Sequence, residues 1–164
     1  MSPSWLKSSI SKQYKTAHEL VKIREGLVLR WYLDSLGKPT AGYGHLQKKG
    51  EEKLTVTKAL ADAWFEGDIK DAEEAATKQS LQLPFVTQDL INVLVSVNYQ
   101  LGTGWTNKFK NTWGLMRKGD FYGAADEAEN SLWAKQTPVR VRDFQKALWR
   151  TQVLYDLYKD NKDA

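Results

Sequence analysis

Two carboxylates and a hydroxyl stand close together between Glu25 and His45. Eight residues separate Glu25 from Asp34, and five separate Asp34 from Thr40. The segment closes on Gly42-Tyr43-Gly44-His45. Cleaving a glycosidic bond needs such a set. One carboxylic acid protonates the leaving oxygen, and a second carboxylate faces the anomeric carbon or its water. A hydroxyl beside the second carboxylate can help hold that water. The spacing alone is weak evidence, so the elements around these residues decide what they can do.

Each residue also has an ordinary reading. A glutamate on the last turn of a helix is usually a surface residue. Asp34 precedes Ser35, with Gly37 close behind, and that is a common turn composition,. Thr40 is a good strand former. From about 15 to 25 the pattern is helical, with Ala17, Leu20, Val21 and Arg24 on related faces and Gly26 as a stop,. From 27 to 46 the chain is rich in β-branched and aromatic residues broken by Gly37-Lys38-Pro39, which predicts a hairpin or small sheet,. Glu25 then ends a helix, Asp34 lies near the first turn of the hairpin, and Thr40 lies on its return strand.

The remainder reads as helices. Thr57 caps a run to about 78, Leu83-Pro84 breaks it, and Thr87 caps the apolar stretch 90–101,. That stretch is rich in valine, yet it is too long for an ordinary buried strand and is read as a buried helix. Another helix is expected from near Asp120, with Ala124, Ala125, Ala128 and Leu132. Thr137-Pro138 opens the last, with Val141, Phe144, Leu148 and Tyr155 on its inner face,. Residues 1 to about 14, with Trp5, Leu6 and Ile10, read as an N-terminal extension.

The chain has 164 residues, a formal charge of +4, no cysteine and two histidines. That length fits one domain or two small lobes. Disulfides and thiol chemistry are excluded, and a metal site is not expected. The modest positive charge suits an anionic polymer, but no nucleic-acid-reading motif or phosphate loop accompanies it. No apolar run reaches membrane-spanning length and the N-terminus has no apolar signal core. The expected location is therefore the host cytoplasm, without membrane insertion.

Three separate stretches carry a family resemblance. Glu25-Gly26, Tyr32-x-Asp34, Gly37, Thr40 and Gly42-Tyr43-Gly44-His45 resemble the catalytic segment of the phage-type lysozymes, family 24 of the glycoside hydrolases. Leu90-Ile91-Asn92 leading to Tyr99-Gln100-Leu101-Gly102 resembles that family's central helix. Trp133 with Gln136-Thr137-Pro138-Val139-Arg140 resembles the closing segment of its T-even branch. The match covers roughly residues 15 to 158.

The resemblance implies a mostly helical α+β fold of two lobes. These are an N-terminal lobe with a hairpin over about 15–56, an inter-lobe helix over about 57–80 and a helical C-terminal lobe over about 81–164. It implies Glu25 as acid, Asp34 as second carboxylate and Thr40 as a water holder. Arg140 is expected to reach Glu25, and His45 to pair with Asp68. Tyr99, Gln100 and Gly102 are expected at the sugar, although the family commonly has Phe and Asn for the first two; Asn111 and Thr112 are expected on the far side of the cleft. Burial of Glu25 by Trp31, Tyr32 and Trp133 would favour the protonated acid, and a guanidinium would favour the carboxylate; the sequence leaves that balance open.

The reading is a monomeric muramidase without cofactors that acts on peptidoglycan glycan strands. Two water holders favour inversion. It is expected to reach the wall for host lysis after a separate pore-former opens the membrane, or else to travel with the virion. The competing classes are a wall-binding or virion module without turnover and a basic nucleic-acid-binding protein. Clearing of permeabilised Gram-negative cells separates the three.

Overall fold

Thr16 starts the first helix, with extended backbone (φ −135°, ψ 155°) and a hydroxyl that accepts from the Glu19 N–H,. The structure, a computed structural model, describes residues 16–162. The expected extension over 1 to about 14 lies outside them. Helix α1 is Ala17–Glu25, and it ends where the Gly26 N–H closes on the Lys22 carbonyl.

A three-stranded antiparallel sheet follows: β1 (Val28–Leu33), β2 (Pro39–Gly42) and β3 (His45–Leu46), in that order. Tyr32 pairs with Thr40 and Leu33 with Pro39, while Ala41 pairs with His45. Side chains alternate along a strand. Tyr32 and Thr40 therefore share a face, and Asp34, two residues beyond Tyr32, continues it. A register irregularity between Val28 and Tyr32 adds local bending to β1,. The third strand extends the expected hairpin into a small sheet.

Helix α2 (Lys58–Ser80) is capped by Thr57, whose hydroxyl accepts from the Leu60 N–H. It packs against β2, β3 and α3 (Gln88–Leu101). At Gly42 (φ 67°) an added Cβ would lie 3.1 Å from the Ala61 Cβ, so glycine lets the sheet close onto α2,. Helix α3 is capped by Thr87 and is buried almost all round between Leu90 and Asn98. Its valines serve the core of a helix.

Among the described residues five further helices follow α3. These are α4 (Trp105–Lys108), α5 (Lys110–Arg117), α6 (Phe121–Glu129), α7 (Leu132–Gln136) and α8 (Pro138–Lys162). Trp105, Phe121, Phe144, Met116 and Leu148 join the buried face of α3 in one core. Trp105 meets Trp113 and Phe144 edge to face, at 5.7 Å and 6.0 Å between ring centroids,. The fold is a mostly helical α+β, lysozyme-like arrangement. Among the described residues no helix is long and apolar enough to cross a membrane.

Candidate active site

Glu25 occupies the last position of α1, at the point where the chain turns into β1. Arg140, in the first turns of α8, donates from Nη1 to Glu25 Oε2. Its Nη2 donates to the Ser96 carbonyl at 3.1 Å and to Ser96 Oγ at 3.0 Å. The guanidinium is thus held by α3 and presented to the acid. On the other side of the carboxyl group stands Gly44 (φ 75°). An added Cβ there would come within 2.5 Å of Glu25 Oε1. Next to it, Tyr99 donates its hydroxyl to the Tyr43 carbonyl.

Asp34 and Thr40 are joined through one residue of the hairpin turn. Asp34 Oδ1 accepts from the N–H groups of Leu36 and Lys38, at 2.9 Å and 2.8 Å. The Asp34 N–H donates to the Lys38 carbonyl at 2.9 Å. That carbonyl also accepts the Thr40 hydroxyl at 2.9 Å. Lys38 therefore fixes the carboxylate with its N–H and the threonine with its C=O. The Thr40 proton is committed, so its oxygen faces any further partner as an acceptor.

Tyr32 was expected to bury Glu25 along with Trp31 and Trp133. Burial first, then the charges of Glu25 and Asp34, push the Tyr32 phenol up, against a smaller opposing pull from Arg30. Its ring thus stands within the field of both carboxylates and keeps its proton. The two tryptophans point elsewhere. Trp31 packs on Trp64 at 5.4 Å and donates to the Leu54 carbonyl. Trp133 is buried in the helical core against Phe144 and Phe109.

A cleft of about 570 Å³ opens beside this group. Gly44, His45, Leu46, Trp64, Asp68 and Tyr99 are among its walls, together with Gly102. His45 is buried with both ring nitrogens engaged. Nδ1 lies 2.7 Å from Asp68 Oδ2, and Nε2 lies 3.0 Å from Glu51 Oε1. Its ring stacks on Trp64 at 4.2 Å and 10°. The sheet is fastened to α2 by these contacts. Burial pushes the Glu51 carboxyl up, but the Lys48 N–H and the His45 ring together hold it, on balance, below the usual carboxylate range,.

The other three residues expected near the sugar are Gln100, Asn111 and Thr112. Gln100 accepts from Trp133 Nε1 at 2.9 Å and donates to Thr137 Oγ1 at 3.0 Å, so both ends of its amide tie α3 to α7 and to the start of α8. Thr112 is buried in α5 and Asn111 is exposed on the same helix. Glu51, Ser96 and the steric role of Gly44 are not found by sequence spacing. Ser96 does leave one signal, as a small polar residue inside an otherwise apolar buried run.

A family model described as phage lysozyme matches residues 22–146, which takes in Glu25, the sheet, α2, α3 and Arg140. The chain belongs to the phage lysozyme family. Its similarity to individual members of that family and to related proteins is modest. It is 27% identical over 148 residues to a protein named probable T4-type lysozyme 2 of Dictyostelium discoideum, covering 74% of this chain and 86% of that one. Over 146 residues it is 28% identical to the pre-baseplate central spike protein Gp5 of Enterobacteria phage T4, covering 74% of this chain but 25% of Gp5. It is 27% identical over 111 residues to the peptidoglycan hydrolase gp36 of Pseudomonas phage phiKMV, covering 66% of this chain and 12% of that protein. Relatives of this phage lysozyme thus include one of its own size and small parts of much longer phage proteins.

Proposed function

We propose that this chain is a muramidase, a glycoside hydrolase that cleaves the β-1,4 bond between N-acetylmuramic acid and N-acetylglucosamine in peptidoglycan. The observation that carries the reading is the paired construction of the site. One carboxyl group is clamped at the end of α1 by Arg140, and a hairpin turn presents a second carboxylate and a hydroxyl through a single residue, Lys38.

Glu25 gives its proton to the glycosidic oxygen as the bond to the anomeric carbon breaks. A water donates one hydrogen to Thr40 Oγ and the other to the unengaged oxygen of Asp34, and its oxygen attacks the anomeric carbon. Asp34 takes the displaced proton and, while charged, stabilises the oxocarbenium-like centre. Attack by a held water gives inversion. Tyr32 stays a neutral donor between the carboxylates. The sheet and the helices around α3 form the two walls, joined by α2, and the chain acts as a monomer without cofactors.

Membership in the family and the peptidoglycan hydrolase activity for which the gp36 relative is named support peptidoglycan as substrate. In the setting proposed here, the protein lyses the host from the cytoplasm once a separate pore-former opens the membrane. A virion-borne role is the second reading, favoured by the central spike protein relative, 25% of which this chain matches.

The test is clearing of chloroform-treated Gram-negative cells by purified protein. Glu25→Gln keeps size and removes the acid proton, so its rate should fall about 10²–10⁴-fold or more while the protein stays folded. A folded variant that clears walls near the parent's rate removes Glu25 from the acid role. Recovery of the chain in stoichiometric amounts from purified particles would select the virion-borne setting.

A further inference from the structure

We propose that the Tyr99 hydroxyl is a positioning device that holds the Tyr43-Gly44 peptide against Glu25 Oε1 and so fixes where the proton-bearing oxygen of the acid stands. The inference rests on the muramidase reading for its kinetic test, but not for its spectroscopic one.

The argument begins with the two oxygens of Glu25. Oε2 accepts an N–H from Arg140 Nη1. An oxygen facing a guanidinium donor is a poor place for a proton, since two hydrogens would then point at each other. The proton of the neutral acid therefore belongs on Oε1. That oxygen lies against Gly44, so closely that a Cβ would meet it at 2.5 Å. The position of the Gly44 backbone thus limits where the proton-bearing oxygen can stand.

On one side Gly44 is followed by His45, which pairs with Ala41 across the sheet. Gly44 has a positive φ of 75° and sits in the link between β2 and β3. The preceding carbonyl, on Tyr43, accepts the Tyr99 hydroxyl. Tyr99 Cε1 lies 3.8 Å from the same hypothetical Cβ of Gly44. Phe65 lies beneath both tyrosine rings, 5.8 Å from Tyr99 and 5.3 Å from Tyr43, and keeps the donor ring aimed. Burial first, then the charges of Asp68 and Glu25, push the Tyr99 phenol far up, so it remains a donor throughout the working range.

Helix α3 therefore supports both sides of the acid from residues three apart. Ser96 holds Arg140, which takes Oε2, and Tyr99 holds the peptide that bounds Oε1. Residues at that spacing share one face of a helix. A small displacement of a reacting group can cost about 10²-fold in rate, and this arrangement restricts displacement from both directions. Tyr99 acts here through Gly44 rather than by proton transfer.

Tyr99→Phe keeps the ring and removes only the donor. On soluble muropeptide oligomers kcat should fall about 10-fold or more while KM stays within about twofold. With selectively labelled protein, the ¹³C carboxyl resonance of Glu25 should move in the variant. Gly44→Ala crowds the same oxygen directly and, compared per folded protein because its positive φ strains the substitution, should also move that resonance; for a poorly folding Tyr99→Phe the resonance of the folded fraction decides. An unchanged kcat, a loss of activity no larger than the loss of folded protein, or an unmoved Glu25 resonance overturns the proposal. If the parent itself cleaves no glycan, the muramidase reading fails, and the resonance comparison still decides the latch.

Discussion

Replacing Thr40 by serine keeps the hydroxyl that donates to Lys38, whereas valine keeps only the shape of a good strand former. The structure commits that hydroxyl's proton to Lys38, so a water bound there must donate to it. Thr40→Ser is expected to retain activity within a few-fold. Thr40→Val should lower kcat about 10-fold or more with little change in KM, since a water-orienting group acts mainly in the transition state. Equal maximal rates for the two variants would return Thr40 to a purely structural place. At this scale the sequence shows residue types but not the direction in which their polar atoms point. Gln100 has the composition of a sugar contact, yet its amide is engaged at both ends by Trp133 and Thr137. Gly44 reads as a hinge, and only its distance to Glu25 makes it a wall of the acid pocket.

At the scale of elements, the small sheet depends on a polar cluster. His45 is pinned between Asp68 of α2 and Glu51 of the loop after β3. Because the folded-state pKa of Glu51 is depressed, its contribution to stability is fully present above its unfolded value of about 4.3. It is lost as pH falls through the lower folded value. Glu51→Gln should therefore destabilise the protein by about 1–2 kcal/mol at pH 7. The gap from the parent should close in acid, as followed by urea denaturation at several pH values. A gap that stays constant down to pH 3 would contradict this account. The long elements were legible because periodicity, capping threonines and the Leu83-Pro84 break all agree on them. Helices α4 and α5 were not. They are short, follow Gly102 and Gly104, and are held by Trp105 and Trp113 entering the core rather than by any pattern of their own. The third strand has two residues, too few to show a period.

Across the whole molecule, two neighbouring contacts fasten α1 to α8. Arg24 grips Asp143 with Nε to Oδ2 at 2.7 Å and Nη2 to Oδ1 at 2.9 Å, and Glu25 meets Arg140 beside it. Both partners of the first pair are largely shielded from water. Asp143→Ala takes this bidentate partner from a half-buried guanidinium and should cost roughly 1–3 kcal/mol,. It should also slow turnover, because it loosens the helix that carries the acid; a melting curve and a rate matching the parent's would refute both. This join also has a bearing on time. Glu25 is made 115 positions before Arg140. At about 5–20 residues per second a ribosome needs about 6–23 s to cover that gap. During that interval the acid exists without the cation that orients it. On the function proposed here, a nascent chain is thus silent until α8 begins to emerge, and translational pausing anywhere in between lengthens the silence.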